Sequence, residues 1–225
     1  MKLSRVFKFL RGGSIRVHFS QYGEDVILHK LFGRKFSTGF YVDVGAHHPF
    51  RQSNTAYLWL MGWRGINVDA SKSSIKHFNR VRTSDLNIWS AVVGEAVAHE
   101  NTEIALYSSQ DIDLCATCDP SLASERGAHQ TTMVPCTTLK NIINQHAARL
   151  TDKIELLTVD IEGFDAAAID SISDWIILPK VICIEIYGND VNEVLSSPAC
   201  KLLGDHGYVL TARVGPTAVF EHQPT

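Results

Sequence analysis

The sequence predicts an α/β fold: an open, mostly parallel, doubly wound sheet closed by an antiparallel C-terminal hairpin. Three observations carry this. From residue 40 onward, short apolar runs alternate with helical patterns, the rhythm of strand–helix–strand units. Two of those runs, 154–159 and 181–186, are continuously apolar, as central strands covered on both faces must be. The tail then places two strand-like stretches, 208–213 and 218–220, on either side of Gly215-Pro216.

Taken in order, Phe40-Tyr41-Val42-Asp43-Val44-Gly45 is a strand that ends in a turn. Residues 53–62 (SNTAYLWLMG) carry a cap residue, a helical stripe and a terminal glycine. Residues 66–69 form a second strand, followed by a helix capped by Ser71 or Ser73, and 88–93 form a third strand. Segment 165–172 reads as the helix between the two apolar strands, and 191–203 as another. Residues 95–135 break the rhythm. They are polar, with short strand-like pieces at 103–107 and 131–134, and read as an insertion placed to cap a site. With no repeat and no linker, the expected organisation is a basic segment over 1–19 and a single domain over 20–225.

Composition narrows the function. At 225 residues, 45% hydrophobic and 20% charged, the chain buries a sizeable core, which excludes a disordered protein. A net charge of -3 argues against a general nucleic-acid binder. No apolar run reaches the roughly 20 residues that span a bilayer. Five cysteines, an odd number spread thinly, do not make a disulfide framework, so a cytoplasmic location is expected. Lys2, Arg5, Lys8, Arg11 and Arg16 precede the first acid, Glu24, with Leu3, Val6, Phe7 and Leu10 at helical spacing. That basic amphipathic segment, residues 1–16, suits weak contact with an anionic membrane surface, which would put the chain at the inner face. The simpler reading is a terminal helix that docks on its own domain or frays. Cys115-Ala-Thr-Cys118 has half a zinc spacing that Cys136 and His129 would have to complete in space; two unrelated thiols are the simpler reading. Arg80 and Arg82 read as a solvated helix end rather than a phosphate contact.

Ligands of such sheets lie beyond the carboxyl ends of the strands, near the point where strand order reverses. Acids fall at four successive strand ends: Asp43, Asp69, Asp160 with Glu162, and Glu185 beside Tyr187. The first turn runs Gly45-Ala46-His47-His48-Pro49, without the spaced glycines that let a pyrophosphate approach backbone amides. An acidic site without a phosphate cradle suits a cationic nucleoside that carries no phosphate, namely S-adenosylmethionine. Asp69 would take its ribose hydroxyls.

Six motifs then occur in order: SQYGED (20–25), VDVGA (42–46), SNT (53–55), GWRG (62–65), VDIEG (159–163) and VICIE (181–185). Together they resemble the FkbM-type methyltransferases over about residues 20–190. The resemblance implies a Rossmann-like class I methyltransferase fold, S-adenosylmethionine as methyl donor, and O-methylation of a hydroxyl on a sugar, glycan or secondary metabolite, with a place in polysaccharide biosynthesis. It also implies cofactor contacts at Asp43, Gly45, Ala46, Asn54, Asp69, Ala70, Ser90, Ala91 and Asp160. Gln21, Glu24 and Asp25 match a motif taken to close the cofactor pocket. His47-His48 departs from the small polar residue common in the family, which makes both imidazoles candidates for chemistry.

A sugar hydroxyl needs a base within hydrogen-bond reach, and the candidates are Asp160, Glu162, His47 and His48. A divalent metal held by Asp160 and Glu162 would lower the alcohol pKa instead, and is the less favoured route. Two other readings stay open: a nicotinamide-dependent oxidoreductase of the same fold class, and a catalytically silent methyltransferase-like binding module. The expected partner is a small-molecule or glycan acceptor.

Overall fold

The structure, a computed structural model, describes residues 18–33 and 38–223. The basic segment 1–16 lies outside the described residues, and with it the membrane-surface reading. Among the described residues no helix is long and apolar enough to cross a membrane.

The strands are β1 (Phe40–Val44), β2 (Arg64–Asp69), β3 (Leu86–Trp89), β4 (Ala91–Val92), β5 (Glu103–Ser108), β6 (Gln130–Thr137), β7 (Leu156–Val159), β8 (Val181–Glu185), β9 (Tyr208–Val214) and β10 (Thr217–His222). Seven of them form one sheet in the order β3-β2-β1-β7-β8-β10-β9. The first five run parallel, and β10 pairs antiparallel with both β8 and β9, the expected closing hairpin. From β1 the chain winds outward to β3, then returns to β7 on the other side of β1. The order therefore reverses between β1 and β7, and a cleft must open there.

Each strand sends alternate residues to opposite faces. Val42, Val44, Ile66, Val68, Leu157, Val159, Ile182 and Ile184 pack in one core. Tyr41, Leu156, Val181, Cys183 and Val219 face the other, against Leu28 and Phe32 of helix α1 (Glu24–Phe32). The sheet is thus covered on both sides, which is why its central runs are apolar throughout.

Several expected elements are redrawn. The helix anticipated over 53–62 is only α2, Ala56–Leu60. Helix α3 (Lys72–Val81) starts at Ser71, whose hydroxyl accepts the Ser74 N–H at 3.2 Å. The run 88–93 is not one strand. Its peptide bends at Ser90, whose hydroxyl donates to the Ala91 and Pro135 carbonyls, and β4 leaves the large sheet to pair with β6. The helix expected over 165–172 is α8, Asp165–Ala168, followed by a 3-10 turn at Ile172–Asp174. The one over 191–203 breaks into α9 (Val191–Ser196) and α10 (Pro198–Asp205), because Pro198 cannot continue a helix and Ser197 caps the next one. The insertion comprises α4 (Glu95–Glu100), β5, α5 (Pro120–Glu125) and β6; the two strand-like pieces, β5 and β6, pair antiparallel, and β4 completes a small three-stranded sheet. A helical stretch over 139–150, wound as π-helix through Ile142–Ala147 and bracketed by α6 (Leu139–Asn141) and α7 (Ala148–Leu150), covers the sheet as well.

One buried polar network ties the amino-terminal half together. Arg82 is fully buried, not solvated. Its guanidinium reaches the Thr55 hydroxyl at 2.8 Å, Asn67 Oδ1 at 3.1 Å, the Ser53 hydroxyl at 3.1 Å, the Tyr41 hydroxyl at 3.2 Å and the Pro49 carbonyl. Thr55 passes a hydrogen bond on to Asp43, and Tyr41 passes one on to Asp85. One cation therefore lies among two carboxylates, two strands and the 49–55 loop. Removing one partner of such a buried set leaves the others unpaired at a cost of several kcal/mol. Arg82→Met should lower the unfolding free energy by about 3–5 kcal/mol in urea denaturation. A loss below about 1 kcal/mol would show that water replaces the guanidinium freely.

Candidate functional site

The cleft opens at the carboxyl ends of β1, β2 and β7 and is roofed by the insertion. Gly45, His47, Asp69, Ala70, Ser90, Ala91, Asp160 and Glu162 line it, with Leu106, Asp113, Leu114, Ala116 and Cys118 supplied by the insertion. Eight of the expected site residues thus come together in one place.

The floor is built by two turns that interlock. Gly45 has φ +79°, and a Cβ there would lie 1.7 Å from the Asp160 carbonyl oxygen. Only a residue without a side chain lets the β1 turn pass the end of β7 this closely. Two residues on, His47 also has positive φ, at +52°, and its N–H donates to Asp69 Oδ2 at 2.7 Å. The Ser71 N–H donates to Asp69 Oδ1, also at 2.7 Å. Asp69 is therefore held by two amides while each oxygen keeps a free lone pair. Burial pushes its carboxyl up to about 6, against the pull of those two amides. Burial, then the Arg51 charge, holds the His47 imidazole below its ordinary value, so it is neutral at pH 7.

At the other end of the cleft lies a carboxylate trio, of which Asp160 and Glu162 line it. One oxygen each from Asp160, Glu162 and Glu185 lies within 4.8 Å of the others, the one group among the described residues able to hold a metal ion. Cys115, Cys118, Cys136 and His129 do not meet as such a group. Glu162, at φ +54°, accepts a 2.7 Å hydrogen bond from Arg126 on its side chain and a 2.6 Å one from Thr117 on its carbonyl. Burial, then the Glu185 and Asp165 charges, raises Asp160 well above the usual carboxylate range. Burial likewise lifts Glu185 to about 7, and its Oε2 lies out of water with no hydrogen-bond partner. Asp160 and Glu185 are therefore both raised by burial and by neighbouring carboxylates.

Other expected contacts do different work. Asp43 faces away from the cleft, into the Arg82 network through Thr55. Asn54 donates to the Thr158 hydroxyl at 3.1 Å, pinning its loop to β7. The Ala46 N–H donates to the Val68 carbonyl and its side chain is buried. His48 accepts the Phe50 and Arg51 N–H groups on Nδ1, both at 3.1 Å, so its imidazole ties the turn and does not line the cleft. Glu24 accepts from the Tyr22 N–H and from Thr217, and Asp25 from the Phe19 N–H and Ser20 hydroxyl. They fasten the 19–25 turn to the start of β10, while Gln21 reaches only the Tyr22 hydroxyl. Residues 20–25 thus sit beside Glu185, which pairs with Thr217, rather than over the floor. Sequence reasoning passed over Asp113, Thr117 and Arg126. Their only signal is membership of the polar insertion.

Residues 43–210 match a family model described as the methyltransferase FkbM domain. No curated protein matches the chain. Among solved structures, a TehB-like SAM-dependent methyltransferase from Corynebacterium glutamicum is similar at 13% identity and a TM-score of 0.40, with 98% of this chain and 96% of that one covered.

The raised carboxyls make stability depend on pH. Glu185 keeps its proton to about pH 7 when folded but releases it at about 4 when unfolded. In that window the unfolded chain binds fewer protons, so this group's contribution falls as pH rises and levels off above 7. His47 and His48, both held low, act in the opposite sense at the acid end, so the comparison is made against a variant. Urea midpoints of wild type and Glu185→Gln should diverge between pH 5 and pH 7.5, with the wild type losing ground as pH rises. Parallel profiles would mean that Glu185 is solvated in the folded protein.

Proposed function

Because the chain belongs to the FkbM methyltransferase family, we propose that it uses S-adenosylmethionine to methylate a hydroxyl oxygen of a sugar, glycan or secondary-metabolite acceptor. The observation that carries this reading is the charge of the cleft. Asp69, Asp113, Asp160 and Glu162 line it, and among the described residues no lysine or arginine does. Such a lining suits the sulfonium and ammonium of the cofactor and disfavours the pyrophosphate of a nicotinamide dinucleotide.

The residues fit the cofactor piece by piece. Asp69 has a free lone pair on each oxygen for the ribose hydroxyls, and Ala70, Ser90, Ala91 and Leu106 offer small or apolar surface for the adenine. S-adenosylmethionine, when bound, supplies an electrophilic methyl group. The protein must then orient the acceptor hydroxyl and remove its proton. Asp160 and Glu185 suit that task, since burial and neighbouring carboxylates raise the proton affinity of both, that of Glu185 to about 7. Glu162 is already engaged by Arg126 and serves to orient. His47 is the second candidate base, because its neutral imidazole lines the same cleft.

Asp69→Ala should weaken S-adenosylmethionine binding in calorimetry by about 1–3 kcal/mol, the cost of losing charge-assisted hydrogen bonds. Wild-type affinity should fall as pH drops through about 6, where Asp69 takes up its proton, and the variant should not follow. Equal affinity at all pH values would remove Asp69 from the site.

Labelled-methyl transfer to candidate nucleotide sugars and lipid-linked sugars, read by mass spectrometry, tests the reaction itself. Asp160→Asn and Glu185→Gln should each lower turnover about 10²-fold with a smaller change in cofactor affinity, the usual contribution of a positioned base. A larger loss with His47→Ala would transfer that role to the imidazole. Turnover abolished by a chelator and restored by Mg²⁺ would assign the trio to a divalent ion instead. Cofactor binding without transfer to any acceptor would favour a binding module.

A further inference from the structure

One side chain bridges two walls of the cleft. Arg126 follows α5 in the insertion. Its Nη2 donates to Glu162 Oε2 at 2.7 Å, and its Nη1 donates to the Cys115 carbonyl at 3.1 Å. Cys115 lies in the 113–118 loop, which supplies Asp113, Leu114, Ala116 and Cys118 to the cleft. Glu162 belongs to the acidic turn that presents Asp160. That turn carries two consecutive positive φ angles, +54° at Glu162 and +112° at Gly163. From below, the Asp165 carboxylate accepts the Ile161 and Gly163 N–H groups, at 3.0 and 3.2 Å. From above, Thr117 holds the Glu162 carbonyl, and Leu122 lies 2.7 Å from where a Cβ on Gly163 would stand. The insertion therefore grips the acidic turn.

We propose that Arg126 is a positioning residue, a strut between the 113–118 loop and the Asp160–Gly163 turn that holds the cleft closed around its ligand. An arginine suits this because its planar fork serves two acceptors in different directions, which a lysine ammonium on one flexible stem does poorly. The ion pair is partly exposed, with side chains 28% and 15% accessible, so it contributes little to overall stability. Its effect falls on local opening. Breaking it frees the loop from the turn and lets a bound nucleoside leave faster. The identity of that nucleoside rests on the cofactor reading above; the strut itself does not.

Hydrogen exchange on the protein without cofactor tests the strut first. In Arg126→Ala, amides of residues 113–118 and 161–163 should exchange faster while β7 and β8 stay protected. Unchanged exchange at both segments would overturn the proposal. Stopped-flow dissociation of S-adenosylmethionine tests the consequence. The off-rate should rise about tenfold in Arg126→Ala, less in Arg126→Lys, and no further when Glu162→Gln is added, since coupled partners are not additive. The melting temperature should hardly move. Wild-type binding with an unchanged off-rate in Arg126→Ala would overturn the strut and leave the cofactor reading standing. A wild type that binds no S-adenosylmethionine but shows the exchange change would overturn the cofactor reading and leave the strut. Should Arg126→Ala fail to fold, Arg126→Lys and Glu162→Gln carry both measurements.

Discussion

A buried guanidinium organises the amino-terminal half of this protein. Arg82 ends helix α3, yet it lies wholly out of water and holds acceptors from β1, β2 and the loop that follows the first turn. Desolvating a charge is tolerable only when every partner is in place. The constraint therefore runs outward from it. Pro49 must return to the guanidinium, so the turn from Gly45 to Pro49 must be tight. A tight turn puts the His47 N–H on Asp69. Asp43 and Asp85, two carboxylates beneath the sheet, are placed where this one cation offsets them. The floor of the cleft is thus shaped from behind, by residues that no ligand touches.

The Arg82 network and the cleft divide the electrostatics. In the network, charge is compensated: Arg82 sits with Asp43, Asp85, Tyr41 and Asn67. At the cleft, acids line the surface with no cation among the described lining residues, while Arg126 pairs with Glu162 and Arg51 lies near His47. A site of that kind repels phosphate and attracts positive charge. It also raises carboxyl proton affinities, since burial and neighbouring carboxylates act together at Asp160 and Glu185. One arrangement thus serves both to hold a cation and to accept a proton.

Much of this was legible in the sequence, for reasons that can be located. Parallel strands declared themselves through continuous apolar runs, and the acids at their ends followed from the turn positions. Asp69, Ser90 and Asp160 line one cleft because strand ends converge wherever strand order reverses. Arg82 was not legible. An arginine at a helix end looks the same whether water or five protein acceptors surround it, and those acceptors are spread over residues 41–67. The break at Ser90 was hidden because the apolar run continues across it with no glycine or proline. The helical stretch 139–150 does carry its own signal, a Thr138 cap before Leu139, Ile142, Ile143 and Ala147. Residues 20–25 form a recognisable motif, but their carboxylates fasten backbone. A motif's regularity does not say whether it answers to ligand or to fold.

The small sheet has a consequence for how such a protein can be varied. Strand β6 pairs with β4 on one edge and β5 on the other, and the β5–β6 ladder ends at Ser108 opposite Gln130. Everything from 109 to 129 is therefore a cassette spliced into a finished ladder. Its ends are fixed by backbone hydrogen bonds that depend on no particular side chain, so its length and content can change while the strands around it keep their register. An exchange of that segment between relatives would re-cut one wall of the cleft and its grip on the acidic turn, while Asp69 stays held by the His47 and Ser71 amides.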